Sequence, residues 1–207
     1  MPIRFQKECE SGAQLLVWKA DETELELLAM LPSSVLTEAD LEEIKLAPKR
    51  KEFLASRVAI RYLANQLNII FSGIKKDKHG KPYLVNSSWQ MSITHSRDFM
   101  AVIMHPTNPV GIDIERPQKK MWKIMSRLYT DQEIEDIDEN LERMSIYWSA
   151  KEALYKLYGK RGTDFKENLK IHKHSSGLFG EIDMPDYQKS HTVKSQRIED
   201  YILVWVV

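Results

Sequence analysis

The sequence predicts an α+β protein, and three observations carry that prediction. Two stretches show strong helical periodicity, 47–67 (APKRKEFLASRVAIRYLANQL) and 141–159 (LERMSIYWSAKEALYKLYG). Each passes into a Gly-containing, strand-like stretch, FSGIKKDKHGKPYLV after the first and GKRGTDFKENLKIHKHSSGLFGEI after the second. Two β-branched or aromatic runs, SWQMSITHS and FMAVIMHP, flank the tight turn signal HSRD and read as a hairpin, with PVGIDIE following as a third strand and RIEDYILVWVV as the last. Helices and mostly antiparallel strands are thus segregated rather than alternating, which argues against a wound α/β sheet.

A long helix followed by strands, met twice, hints at an internal duplication with its joint near 105–109. We therefore expect an N-terminal lobe over 1–106 and a C-terminal lobe over 107–207. At 207 residues and 43% hydrophobic content, the chain is long enough to bury a core by itself. The single cysteine, Cys9, excludes an internal disulfide framework and a cysteine-based zinc site, so a reducing compartment, the cytoplasm, is expected. No apolar run approaches the roughly 20 residues of a membrane span, and the N-terminus lacks the apolar core of a signal peptide. Thirty basic and thirty acidic residues cancel, so no global field recruits nucleic acid. The charges are segregated, however: 119–127 (KKMWKIMSR) holds four basic side chains, and 131–142 (DQEIEDIDENLE) holds seven acids. A pair of solvated helices would account for that.

Several residues run against the pattern. In the strand VGIDIE, Asp113 and Glu115 emerge on one face and Ile112 and Ile114 on the other. Two adjacent carboxylates repel unless a cation or proton intervenes; Mg²⁺ suits them, and so does a strand with one wet face. On the second helix, Ser149, Glu152 and Lys156 share a polar side, where Glu152 and Lys156 also read as an i, i+4 surface pair. Lys151 falls among apolar residues, and its stem would have to snorkel to water. On the first helix, Phe53, Ile60, Ala64 and Leu67 trace an apolar stripe with Arg57 inside it, and that guanidinium requires an anion, either an internal carboxylate or a ligand phosphate. His95 closes the run SITHS between two hydroxyl neighbours, and GKPY at 80–83 makes a turn before a strand.

Taken in order, KRKEFLASRVAIRYL, HGKPYL, SITHS, VGIDIE and YWSAKEALYK resemble the successive motifs of the 4'-phosphopantetheinyl transferases, of the longer single-chain type related to the surfactin-synthetase activator. The most specific element is the pairing of G-I-D-x-E with W-S-x-K-E-x-x-x-K. This resemblance implies two similar α+β lobes related by a pseudo-twofold axis, with coenzyme A between them, in a monomer whose one chain does the work of a subunit interface. It implies Mg²⁺-dependent (or Mn²⁺-dependent) transfer of the phosphopantetheine arm of coenzyme A to a serine of an apo acyl or peptidyl carrier protein, releasing adenosine 3',5'-bisphosphate. By motif position it implies Asp113, Glu115 and Glu152 as metal carboxylates, Glu152 also as base for the serine, and Lys156 with Lys151 as holders of the diphosphate. Arg57, Arg50, Thr94 and His95 resemble the positions that take the 3'-phosphate, and Lys81 and Pro82 the segment beside the adenine.

The basic segment just after the metal strand offers a carrier-docking surface. Lys119, Lys120, Lys123 and Arg127 would meet an acidic carrier, framed by Met121, Trp122 and Met125; the apolar three fit equally an amphipathic helix packed on its own lobe. Two other classes use the same residues: a carrier-binding module that has lost chemistry, and a Mg²⁺-dependent nucleotide pyrophosphatase.

Overall fold

The computed structural model describes residues 2–9, 12–35 and 41–207. The chain is of mixed α and β composition and falls into two compact units, one of Met1–Asp77 with Pro82–Asn108, the other of Lys78–Lys81 with Pro109–Val207.

In the first unit, strands β1 (Ile3–Glu8), β2 (Gln14–Lys19), β5 (Gln90–Ser96) and β6 (Phe99–His105) form one antiparallel sheet in the order β1-β2-β6-β5. A short helix α1 (Glu24–Ala29) opens on a Thr23–Glu26 capping box, and β3 (Ile74–Lys76) pairs with β4 (Pro82–Leu84) as a separate ribbon. The hairpin read from HSRD is β5–β6: Ser96 faces Phe99 across the two-residue loop, with Arg97 in the left-handed region (φ 52°).

Helix α2 (Ala47–Gln66) begins with Pro48 in its first turn, where a missing N–H costs nothing, and its run of Ala, Leu, Lys and Arg suits a helix interior. It lies across β2, β5 and β6. Its fully buried face is Leu54, Ala55, Val58, Ala59, Ile60, Leu63 and Ala64, packed with Leu16, Trp18, Val102 and Met104 of the sheet. The apolar stripe expected from the sequence is therefore turned by part of a residue step: Phe53 and Leu67 lie at its margin, half-buried, and Arg57 is half-buried beside Phe53 rather than enclosed. The alanines carry the close helix–sheet contact, and periodicity anchored on Phe53 underrates them.

In the second unit, β7 (Gly111–Glu115), β8 (Leu169–His174), β9 (Gly177–Met184), β10 (Tyr187–Ile198) and β11 (Tyr201–Val206) form an antiparallel sheet ordered β7-β11-β10-β9-β8. The basic segment is a 3₁₀ turn over Lys119–Ile124 continued by helix α3 (Met125–Leu128). Helix α4 (Asp131–Ile137) starts at a Thr130–Glu133 capping box, and α5 (Leu141–Tyr158) starts at Asn140, whose side chain accepts the Arg143 N–H, and stops at Gly159 in the left-handed region. One face of α5, including Met144, Tyr147, Ala150, Leu154 and Leu157, builds the core against β8, β9 and β11.

Strand β7 lies against the same helix, and it does so without a wet face. Ile112 and Ile114 are fully buried, and so is Gly111 on the side shared with Asp113. A Cβ on Gly111 would stand 1.8 Å from the Ala153 carbonyl oxygen of α5, an approach open only to glycine. Gly111→Ala is accordingly expected to force β7 and α5 apart and cost about 2 kcal/mol or more, read as a lower urea midpoint; an unchanged midpoint would show that the backbone contact is not this close. No helix of the described residues is long and apolar enough to cross a membrane.

Candidate functional site

The close approach of β7 to α5 determines what the polar side chains can do. Asp113 sits mid-strand, 5% exposed, facing the helix turn that carries Glu152 and Lys156. Lys156 Nζ donates to Asp113 Oδ1 at 2.7 Å and to the Ile112 carbonyl at 3.2 Å. Burial raises Glu152 from the ordinary carboxylate range to about 7; the negative charges of Asp113 and Glu115 add to that, and the Lys156 ammonium opposes it. Asp113, Glu115, Glu152 and Lys156 thus form one electrostatic cluster, drawn from a strand and a helix far apart in sequence. Its composition is three carboxylates against a single ammonium. One turn earlier on α5, Ser149 Oγ is buried with no hydrogen-bond partner among the described residues.

Such a donor set suits a hard dication, which takes carboxylate oxygens and relieves their mutual repulsion. The gathering of Asp113, Glu115 and Glu152 in one cluster, where burial first and the Asp113 charge second hold Glu152 above the ordinary carboxylate range, is the observation that fits Mg²⁺ here. Among the described residues no three His, Cys, Asp or Glu side chains stand in a metal-holding arrangement, so the acids would have to close on an ion.

Lys151 does not join this cluster. Its side chain is fully buried on the opposite side of α5, where Nζ donates to Glu133 Oε2, the Leu128 carbonyl and the Phe165 carbonyl, each at 2.8 Å. Those are all three of its N–H donors. Burial pulls its ammonium below the ordinary lysine range, and Glu133 pulls the other way. Glu133 in turn accepts from the Thr130 N–H at 2.7 Å and the Ile171 N–H at 2.8 Å. Lys151 is therefore a structural hub, not a holder of diphosphate. The acidic run is also not uniformly solvated, since Glu133 near its start is 1% exposed.

A second polar constellation lies wholly in the first unit. A cavity of about 510 Å³ is lined by Arg57, Thr94, His95 and Pro82, with Lys49, Lys75 and Lys76 adding positive charge and Phe53, Ile74 and Ile93 supplying apolar wall. The Arg57 guanidinium carbon lies over the Phe53 ring, 3.2 Å from its centroid, and Nη1 donates to the Phe53 carbonyl at 3.0 Å. A cation–π contact of that kind restrains the guanidinium fork, which suits an anion. His95 Nδ1 stands 3.6 Å from Glu52, which pairs with Lys49 at 2.6 Å. Lys49 belongs, with Arg50, Lys51 and Arg61, to the basic residues of the same helix that favour a phosphate near Arg57, whereas Lys75 and Lys76 were not singled out; the basic run IKKDK, one residue before GKPY, was the available signal.

Two expected members of this constellation are engaged elsewhere. Arg50 pairs with Glu24 at 2.9 Å and donates to the Ile44 and Lys45 carbonyls at 3.1 and 3.3 Å, holding the helix start rather than facing the cavity. Lys81 Nζ donates to the Leu157 carbonyl at 2.7 Å, in the last turn of α5, where a cation meets the negative end of the helix. Of the basic segment, Lys119, Lys120, Lys123 and Arg127 are exposed, whereas Met121 is buried and Trp122 and Met125 pack on the core. The exposed apolar side chain there is Ile124, which sequence patterning did not single out.

Residues 109–206 match the sequence profile of the 4'-phosphopantetheinyl transferase superfamily. The chain is 24% identical over 150 residues to the 4'-phosphopantetheinyl transferase Sfp of Bacillus subtilis, covering 70% of this chain and 65% of that protein. It is 27% identical over 156 residues to the 4'-phosphopantetheinyl transferase gsp of Aneurinibacillus migulanus, with the same coverage of 70% and 65%. A 4'-phosphopantetheinyl transferase of Bacillus pumilus is 29% identical over 134 residues, 59% of this chain and 56% of that one. The aligned part spans less than two thirds of each of these relatives.

Proposed function

We propose, from the match of residues 109–206 to the 4'-phosphopantetheinyl transferase superfamily, that the protein transfers the 4'-phosphopantetheine arm of coenzyme A to a serine of an apo acyl or peptidyl carrier protein, releasing adenosine 3',5'-bisphosphate. The observation that carries the proposal is the cluster of Asp113, Glu115, Glu152 and Lys156, with Glu152 raised to about 7. A carboxyl that titrates near neutrality is matched to taking a proton from a serine hydroxyl and later releasing it.

In this reading Glu152 removes the serine proton as Oγ attacks the phosphorus bearing the pantetheine arm. A new O–P bond forms, the bond from that phosphorus to the bridging oxygen breaks, and the adenosine bisphosphate leaves with the electron pair. Lys156 holds the diphosphate and meets the negative charge that grows on the leaving oxygen. Asp113, Glu115 and Glu152 are the residues that would hold Mg²⁺ or Mn²⁺; such an ion, when bound, neutralises diphosphate and leaving group. Arg57, Thr94 and His95 take the 3'-phosphate, and Pro82 borders the adenine. The two lobes related by a pseudo-twofold axis, the monomeric state and the cytoplasmic setting belong to the same proposal. For the carrier, the exposed Lys119, Lys120, Lys123 and Arg127 with Ile124 at their centre make a basic surface with an apolar point, suited to an acidic helix.

Intact-mass measurement tests the proposal: an apo carrier incubated with coenzyme A, Mg²⁺ and this protein gains one phosphopantetheine. Hydrolysis of coenzyme A with the carrier unlabelled would make the protein a pyrophosphatase, and binding with no product would make it a docking module. Arg57→Ala is expected to raise KM for coenzyme A roughly ten- to hundredfold with little change in kcat, the usual worth of a charge-assisted contact. The variant should treat coenzyme A and 3'-dephospho-coenzyme A alike; retained discrimination between them would move the 3'-phosphate out of this cavity.

A further inference from the structure

The Lys156 ammonium stands on the carboxylate that a metal would use. Its 2.7 Å bond to Asp113 is formed at a residue only 5% exposed, and a second bond, to the Ile112 carbonyl at 3.2 Å, steadies it there. Asp113 cannot be left without positive charge at that depth, because an uncompensated buried carboxylate is costly. The lysine therefore supplies the positive charge of the ligand-free site. A dication arriving beside it meets a like charge a few ångströms away and competes for the same acid.

We propose that Lys156 is a stand-in cation that makes metal and diphosphate bind synergistically: it holds Asp113 until a diphosphate draws it away, and thereby keeps the site from loading metal alone. This inference rests on the transferase reading of the cluster. Its physical content is a coupling free energy. In the free site Lys156 lowers metal affinity; once coenzyme A is present the lysine has phosphate oxygens to pair with, Asp113 is released to the ion, and each ligand strengthens the other. Lys156 holds Asp113 through its terminal Nζ, so a change of its own side-chain rotamer is enough to take the ammonium off the carboxylate.

The test is Mn²⁺ binding, followed by the loss of the free-ion paramagnetic resonance signal, with and without coenzyme A, for the wild-type protein, Lys156→Gln and Lys156→Arg. Wild type is expected to bind Mn²⁺ weakly alone and more tightly with coenzyme A. Lys156→Gln should bind Mn²⁺ alone more tightly than wild type, by roughly fivefold or more, the lower end of ordinary inter-site couplings, and should lose most of the enhancement by coenzyme A. Lys156→Arg keeps the charge and should bind Mn²⁺ alone no better than wild type. Equal or weaker binding by Lys156→Gln without coenzyme A, or an undiminished enhancement, overturns the proposal. Equal Mn²⁺ affinity of wild type and Asp113→Asn, with and without coenzyme A, would instead refute the metal reading of the cluster itself. A measurement on wild type alone covers the case in which Lys156→Gln does not fold. Acylation of Lys156 by an amine-reactive ester, followed by peptide mass mapping, should speed up when Mg²⁺ saturates the site, and an unaltered rate counts against displacement.

Discussion

Lys151→Met is expected to lower the stability of the protein by about 3–5 kcal/mol, the usual penalty for removing one partner of a buried ion pair. The variant leaves Glu133, 1% exposed, with two backbone N–H donors and no cation, and it also strips the Leu128 and Phe165 carbonyls of a donor. One ammonium ties together the end of α3, the start of α4, the middle of α5 and the loop before β8, so the loss falls on four segments at once. Urea unfolding of wild type, Lys151→Met, Glu133→Gln and the double variant measures it. The double variant should recover much of the loss, because replacing a buried pair together spares the fold an unpaired charge. A single-variant loss below about 1 kcal/mol would mean that Glu133 finds water in the folded state, contrary to its burial. At a temperature where Lys151→Met stays folded, KM for coenzyme A should be that of wild type, as a hub turned into the core does not touch ligand.

Glu152→Gln is the change with the largest expected effect on activity, a fall in kcat of a hundredfold or more, since it removes the base and a metal carboxylate together. The same change should make the metal-free protein more stable at pH 8. Glu152 is raised to about 7 in the folded protein against 4.5 for an ordinary glutamate, so its ionisation is resisted by the fold, chiefly through burial. A carboxyl of that kind contributes stability that is fully present below about pH 4.5 and lost as pH rises through 7. Above pH 7 the wild type therefore carries a penalty of about 3 kcal/mol that glutamine does not, and the stability difference between the two proteins should shrink to nothing as pH falls toward 4.5. Thermal unfolding across that range, in chelator, reads it directly. Mg²⁺ should reverse the order at pH 8 by stabilising wild type preferentially. A glutamine variant less stable than wild type at pH 8 without metal would show that neither burial nor the neighbouring acids resist the ionisation of Glu152.

The two kinds of residue in this site differ in how plainly the sequence announces them. Asp113 and Glu115 were legible because a period of two puts them on one side of a strand that is otherwise apolar, and Glu152 with Lys156 because a turn of helix separates them. Arg57, Thr94, His95 and Pro82 were read from motif resemblance, and the structure brings all four to one cavity. Lys151, Arg50 and Lys81 stand inside the same motifs yet turn elsewhere, to a buried glutamate, a helix start and a helix end. A motif records which residue types occur together; a long flexible side chain can still swing to either side of its backbone, and neighbouring elements choose the side.

By itself, then, the sequence determined the local elements: where α2 and α5 run, where the β5–β6 hairpin turns, and which acids oppose one another, because these follow from periodicity and turn chemistry within a few residues. Only the tertiary structure decided which cations serve chemistry and which serve the fold. That choice rests on long-range contacts, above all the glycine-only approach of β7 to α5 that seats Lys156 on Asp113, and the partners of Lys151 at Glu133, Leu128 and Phe165. Burial makes an unpaired charge too costly to leave, so each lysine goes to the acid or carbonyl that folding brings within reach, at a distance along the chain that no local pattern encodes.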